Sequence, residues 1–219
     1  QENVQKEGWK VTIVSMPRTE KFDKDAVLAV KSKILQETKL NRTITTVMLV
    51  GRIAVPYSGN TRPDGHPDHT GAWPADMFYA DTNGKWTDAN VNTDNNPAGQ
   101  QPTREQNRNI PNDGKFDQSS LPSDIDLAVG RIDFYNLPVF FDKDKYATIF
   151  DSEIELYKRY FKKNNDFRTG VFVPKRRGLI DDNFGGYGEY FAVTAWSGFS
   201  SLNGSNTVTA AKWYPTLTT

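Results

Sequence analysis

The sequence predicts an α/β fold, a mostly parallel sheet flanked by helices, with a long loop-rich insertion. Three observations predict it. Trp9 to Val14 alternate and are rich in β-branched side chains, as a strand requires. Between Asp25 and Thr38 the apolar residues Ala26, Val27, Val30, Ile34 and Leu35 recur at helical spacing. Thr45 to Val50 then form a buried strand stopped by Gly51. Strand, helix and strand in that order make a βαβ unit, which implies a parallel sheet and a right-handed crossover.

Residues 56–121 differ in kind, being dense in Asn, Asp, Gly, Pro and Gln with short apolar islands such as Met77-Phe78-Tyr79. A loop-rich segment of that length is commonly functional or ordered by an ion, although a surface insertion without a role has the same composition. Regular structure resumes at Asp126 to Ile132, a third strand. A helix follows from Tyr146 to Lys162, its apolar face built from Ile149, Phe150, Ile154, Leu156, Tyr157, Tyr160 and Phe161. Gly170 to Val173 and Gly178 to Ile180 have strand composition. Gly185 to Gly188 turn the chain into a helix over 189–197, and Val208 to Trp213 form a last short strand.

The chain has 219 residues, enough for a single α/β domain over 1–219, or for part of a larger one. Both ends read as cuts in a longer chain, because Gln1 is not an initiator Met and the stretch ending at Thr219 is no polar tail. With 27 basic and 27 acidic side chains, no broad field favours nucleic acid or an anionic membrane. No apolar run approaches the ~18 residues that span a bilayer. There is no cysteine, so this segment supplies no disulfide, thiolate metal site or thiol nucleophile.

Ligands of a parallel α/β sheet gather at the carboxyl ends of its strands. Gly51-Arg52, Gly130-Arg131 and Asp181-Asp182-Asn183 are therefore crevice candidates. The competing reading pairs both arginines with carboxylates structurally and makes Asp182 a helix cap. Two loops set oxygen donors around a glycine turn, as a hard cation such as calcium requires. One offers Asp81, Asn83 and Asp88 around Gly84, the other Asp113 and Asp117 around Gly114. Neither is an EF-hand, and Asx-turns account for the same residues without a metal. Asp64-Gly65-His66-Pro67-Asp68-His69 holds both histidines of the chain. His66 and His69 with two carboxylates could bind a transition metal, or form a rigid turn fixed by Pro63 and Pro67. No nucleophile elbow, phosphate loop, zinc-peptidase motif or complete dinucleotide fingerprint is present.

Four segments in order carry a family resemblance. Val47-Met48-Leu49-Val50-Gly51, followed by Ile53 and Pro56, is similar to the strand-plus-glycine element of gingipain-type cysteine peptidases. Asp76-Met77-Phe78-Tyr79-Ala80 is similar to their Asp-x-x-Tyr-Ala/Gly segment, and Asp126 to Ile132 to their strand ending in Gly-Arg. Tyr146 through Tyr160 corresponds to a long helix closing on a tyrosine. The resemblance runs over about residues 45–180 and departs from the family in the insertion from Thr82 to Ser123. It implies a caspase-like fold in a secreted or cell-surface bacterial proteinase, often with calcium sites. The family's catalytic His and Cys follow the matched part, so no catalytic residue is carried over. The expected function is thus scaffold and cleft-side loops of a peptidase acting on polypeptide, with Asp76, Asp81, Asp113 and Asp117 ordering the loops. The alternative is a non-catalytic surface or adhesion module in which Trp73, Phe78, Tyr79 and Trp86 bind glycan or protein. A metal-dependent hydrolase using His66 and His69 ranks third.

Overall fold

A computed structural model describes residues 2–59, 70–92, 103–174 and 198–210. The chain divides into two units, residues 1–159 and 160–219. The first is mixed α/β, with a two-stranded parallel sheet flanked by helices.

After a short exposed helix α1 (Glu2–Lys6), helix α2 runs Lys24–Leu40. Its start is set by Asp23, whose Oδ1 accepts from the Ala26 amide at 2.9 Å. Val27, Val30, Lys31 and Ile34 are its buried positions, one stripe at helical spacing. Strand β1 (Thr46–Val50) follows, and it pairs in parallel with the last strand of the unit, Ala128–Ile132. The expected α2 and both of these strands are therefore present, in register from Thr46 opposite Ala128 to Val50 opposite Ile132. Strand β1 is not wholly buried, however. Leu49 joins the core beside Val47, while Met48 and Val50 stay exposed on the other face. Alternation of this kind belongs to a sheet covered on one side.

Between those strands lie β2 (Tyr57–Ser58) and β3 (Trp73–Pro74), an antiparallel pair, then a single-turn helix α3 (Met77–Ala80). The long parallel strand Ala128–Ile132 is thus β4. One apolar cluster joins these pieces: Val27, Val30 and Ile34 of α2, Leu49 of β1, Phe78 and Tyr79 of α3, with Ala54, Phe116 and Leu127. Phe78 stacks on Phe116 at 4.3 Å between ring centroids, and Trp86 meets both rings edge-on at 5.4 and 5.6 Å. Lys31 is buried among them. Its ammonium donates to the carbonyls of Phe78 and Asp81, capping the C-terminal end of α3 from a neighbouring helix. Burial lowers the Lys31 pKa, partly offset by Asp81 and Asp126.

Short ladders extend into the described part of 56–121. Ser58 bridges Phe116, and Asn92 bridges Asn109. Buried asparagines hold backbone here, with the Asn107 side chain donating to Ala72 O at 2.7 Å and Asn109 to Phe116 O at 3.0 Å. Gly71 has φ +100, and a Cβ there would lie 2.3 Å from Asn107 O, so glycine is required.

Helix α4 spans Ile149–Arg168, against the expected 146–162. Thr148 and Asp151 set its start reciprocally: Thr148 Oγ1 accepts from the Asp151 amide, and Asp151 Oδ2 accepts from the Thr148 amide.

Three expected strands are corrected. Trp9 to Val14 is not a strand, and among the described residues Lys10 to Arg18 make no backbone-to-backbone hydrogen bond. The alternation is there, but no sheet edge meets it, and Trp9, Ile13 and Val14 are exposed. In the second unit, Gly170 at φ +76 closes α4, its amide donating to Phe167 O, and the Phe172 amide turns back to Asp166 O. Gly170 to Val173 is accordingly a helix stop, not a strand, with Val171 and Val173 exposed. A helical stretch over 198–203 ends at Gly204, φ +85, and α5 (Ser205–Ala210) follows at once. Val208 to Ala210 are helical there, because the local chain path outweighs the strand preference of Val208 and Thr209. The remaining part of that expected strand, Gly178 to Ile180 and the expected helix over 189–197 lie outside the described residues.

Candidate functional site

The loop carboxylates are built into two hydrogen-bonded knots. Asp81 follows α3 and is buried. Its Oδ1 accepts from the amides of Gly84 (2.6 Å) and Asn83 (3.2 Å) and from Ser123 Oγ (2.7 Å), and its Oδ2 from Trp86 Nε1 (3.1 Å). Burial works against the Asp81 charge, but the bonds from Ser123, Gly84, Asn83 and Trp86 outweigh it and hold the carboxyl below its usual range. Gly84 is forced by this turn, since a Cβ would come within 2.0 Å of Asp81 Oδ2. Beside it Asp126 accepts from Thr82 Oγ1 at 2.6 Å and from the Thr82 amide at 2.7 Å, bonds that depress its pKa.

The second knot joins residues 87–90 to 110–117. Asp117 accepts from Thr87 Oγ1, from the Ala89 amide (both 2.9 Å) and from the Asn90 amide (3.2 Å). Asp88 accepts from the amides of Asn112 and Gly114, each at 2.7 Å. Asp113 accepts from the Lys115 and Ile110 amides at 2.8 and 3.3 Å. The five residues expected around calcium are thus regrouped. Asp81 and Asn83 sit with Ser123 and Asp126, whereas Asp88 sits with the 110–117 loop. Their carboxylates face N–H and O–H donors, the Asx-turn chemistry of the competing reading. Among the described residues no three or more His, Asp or Glu side chains gather as metal ligands would. His66 and His69 lie outside the described residues, as do Asp181, Asp182 and Asn183.

At the carboxyl ends of β1 and β4 the arginines are paired. Arg131 forms a bidentate pair with Asp76 (2.7 and 2.8 Å) and donates to Ile53 O at 2.7 Å, which welds β4 to the residues before α3. Arg52 pairs with Asp133 at 3.0 Å and lies 4.5 Å over the Tyr135 ring. A third pair has no periodic signature in the sequence. Arg18 meets the buried Glu153 of α4 through two bonds of 2.9 Å and stacks on Tyr135 and Phe150. Tyr157 donates to Glu153 and accepts from the Phe134 amide, and burial raises its pKa. These pairs are architecture, as the structural reading of Arg52 and Arg131 expects.

One concave feature of about 330 Å³ lies beside β3, Trp86 and residues 118–121. Trp73, Pro74, Met77, Trp86 and Leu121 give it apolar walls, and Ser58, Gln118 and Ser120 supply hydroxyl and amide groups. No charged side chain lines it among the described residues. Of the four aromatics expected to meet a ligand, Trp73 and Trp86 are in this groove. Phe78 and Tyr79 are in the core, where Tyr79 donates to Ala54 O at 2.8 Å, and burial pushes its pKa up.

No family model matches the chain, and neither does any curated protein or solved structure.

Proposed function

We propose that this chain is the scaffold-and-loop portion of a secreted or surface-exposed bacterial peptidase of the gingipain type, on a caspase-like sheet. The nucleophilic thiolate and its histidine base would be supplied by a longer parent chain. The observation that carries the reading is the parallel pairing of β1 with β4. An ion-paired arginine stands near the carboxyl end of each strand, Arg52 just past β1 and Arg131 within β4, in the order the resemblance implies. On this reading Asp76 and Asp81 hold the walls of a cleft rather than react. The test is hydrolysis of unfolded casein by the natural full-length protein, with and without prior alkylation by iodoacetamide. Thiol-sensitive cleavage is the expected result. A full-length protein without cysteine, or cleavage indifferent to alkylation, overturns it.

A second reading, a non-catalytic surface module, is favoured by the groove between Trp73 and Trp86, which no charged side chain lines among the described residues. It needs no residue outside this chain.

A further inference from the structure

The groove at Trp73 and Trp86 is not used by the peptidase reading, and its chemistry is specific. Trp86 is a fixed platform. Its Nε1 is bound to the buried Asp81 at 3.1 Å, and its ring is wedged edge-on against Phe78 and Phe116, yet the side chain remains partly exposed. Gln118 is equally fixed. Its Oε1 accepts from the Thr87 amide at 3.1 Å and its Nε2 donates to Thr87 Oγ1 at 2.7 Å. One amide hydrogen and one lone pair are left over. Ser120 is an exposed residue that lines the groove. At about 330 Å³ the space sits at the small end of ligand-pocket sizes, which run from about 300 to 1,000 Å³.

We propose that this groove binds an uncharged saccharide, stacked on the indoles of Trp73 and Trp86 and hydrogen-bonded to Gln118 and Ser120. The inference rests on the surface-module reading and names its ligand class. Two features favour a sugar over a peptide. Among the described residues the groove offers no charge to an acidic or basic side chain. Its β3 edge contains Pro74, which has no N–H, so an incoming peptide strand would miss a rung of its ladder. Aromatic faces beside hydroxyl and amide groups match the apolar C–H faces and equatorial hydroxyls of a neutral pyranose. Rigid placement of both kinds of group limits the ordering cost of binding.

The test is isothermal titration of the 219-residue chain with cellohexaose, mannohexaose and chitohexaose. Oligogalacturonate and a neutral Leu/Pro-rich decapeptide serve as comparison ligands. Saturable binding of at least one neutral hexasaccharide is expected, with Kd between about 10 μM and 1 mM. Trp73→Ala should weaken it about tenfold. Leu121→Asp, at an exposed position that puts a charge in the groove, should abolish it while the thermal midpoint stays unchanged. Absence of saturable binding by all three sugars overturns the proposal, as does binding indifferent to both variants. Binding of the decapeptide alone, sensitive to Leu121→Asp, overturns the saccharide but leaves the surface-module reading standing. Failure of every ligand removes both.

Discussion

The layer formed by α2, β1 and β4 and the loops between Asp81 and Asp126 are held together by opposite means. In the first, Val27, Val30, Ile34 and Leu49 exclude water, and the only buried charge is Lys31, which is spent on two carbonyls. In the second, Asp81, Asp88, Asp113 and Asp117 each gather backbone amides into a tight turn. Burial is non-directional and tolerates small shifts, whereas carboxylate-to-amide bonds fix individual atoms. The loops therefore present Trp86 and Gln118 in one orientation, and the core beneath has no such task.

The largest expected effect lies where the two regions meet. Phe78→Ala removes the ring on which Phe116 and Trp86 pack, and should cost about 3–5 kcal/mol in urea unfolding. A loss near 1 kcal/mol would mean that loops and core are not joined through this ring. Next, Glu153→Ala strands Arg18, which is about a third exposed. The expected loss is therefore about 2 kcal/mol, below the ~3–5 typical of a fully buried pair. Arg18→Met with Glu153→Met should recover part of it; no recovery would argue against a direct pair.

Acid should distinguish the regions. The folded pKa values of Asp81 and Asp126 lie below their unfolded value of about 3.9. Their contribution is fully present above about pH 4 and is lost as the pH falls through the folded values. Urea midpoints from pH 6 to 2 should fall less steeply for Asp81→Asn than for the unsubstituted chain, and parallel curves would contradict the assignment. The smallest expected effect is that of calcium. An ion at 100 times its Kd stabilises by about 2.7 kcal/mol, several degrees in Tm for a chain of this size. Because the carboxylates already face protein donors, 1 mM calcium should move Tm by less than about 1 °C. A rise of several degrees would show that an ion takes the place of those donors.

The same contrast explains what the sequence revealed. Helix α2 and strand β1 carry a burial period, the helix expected from Asp25 starting at Lys24, and β4 was read from its composition. Trp9 to Val14 carried the same period without a partner edge, and periodicity alone cannot supply one. In the loops, Asp-x-Asn-Gly is read equally well as a cation site or as an Asx-turn, and only the placement of the amides separates them. Of the four loop aromatics expected to meet a ligand, Trp73 and Trp86 are partly exposed and line the groove. Phe78 and Tyr79 lie in the core, and a single-turn helix such as α3 is too short for the sequence to show which side faces it. The Arg18–Glu153 pair joins residues 135 positions apart and was invisible for that reason.

Residue-resolved hydrogen exchange on the chain and on Asp117→Ala tests the central claim most directly, namely that the loops are ordered by their own carboxylates. The account predicts that the Ala89 and Asn90 amides, bound to Asp117 in the unsubstituted chain, are protected there and lose protection in the variant. The α2 amides should be unchanged. Unprotected Ala89 and Asn90 in the unsubstituted chain, or protection that survives the substitution, would contradict it.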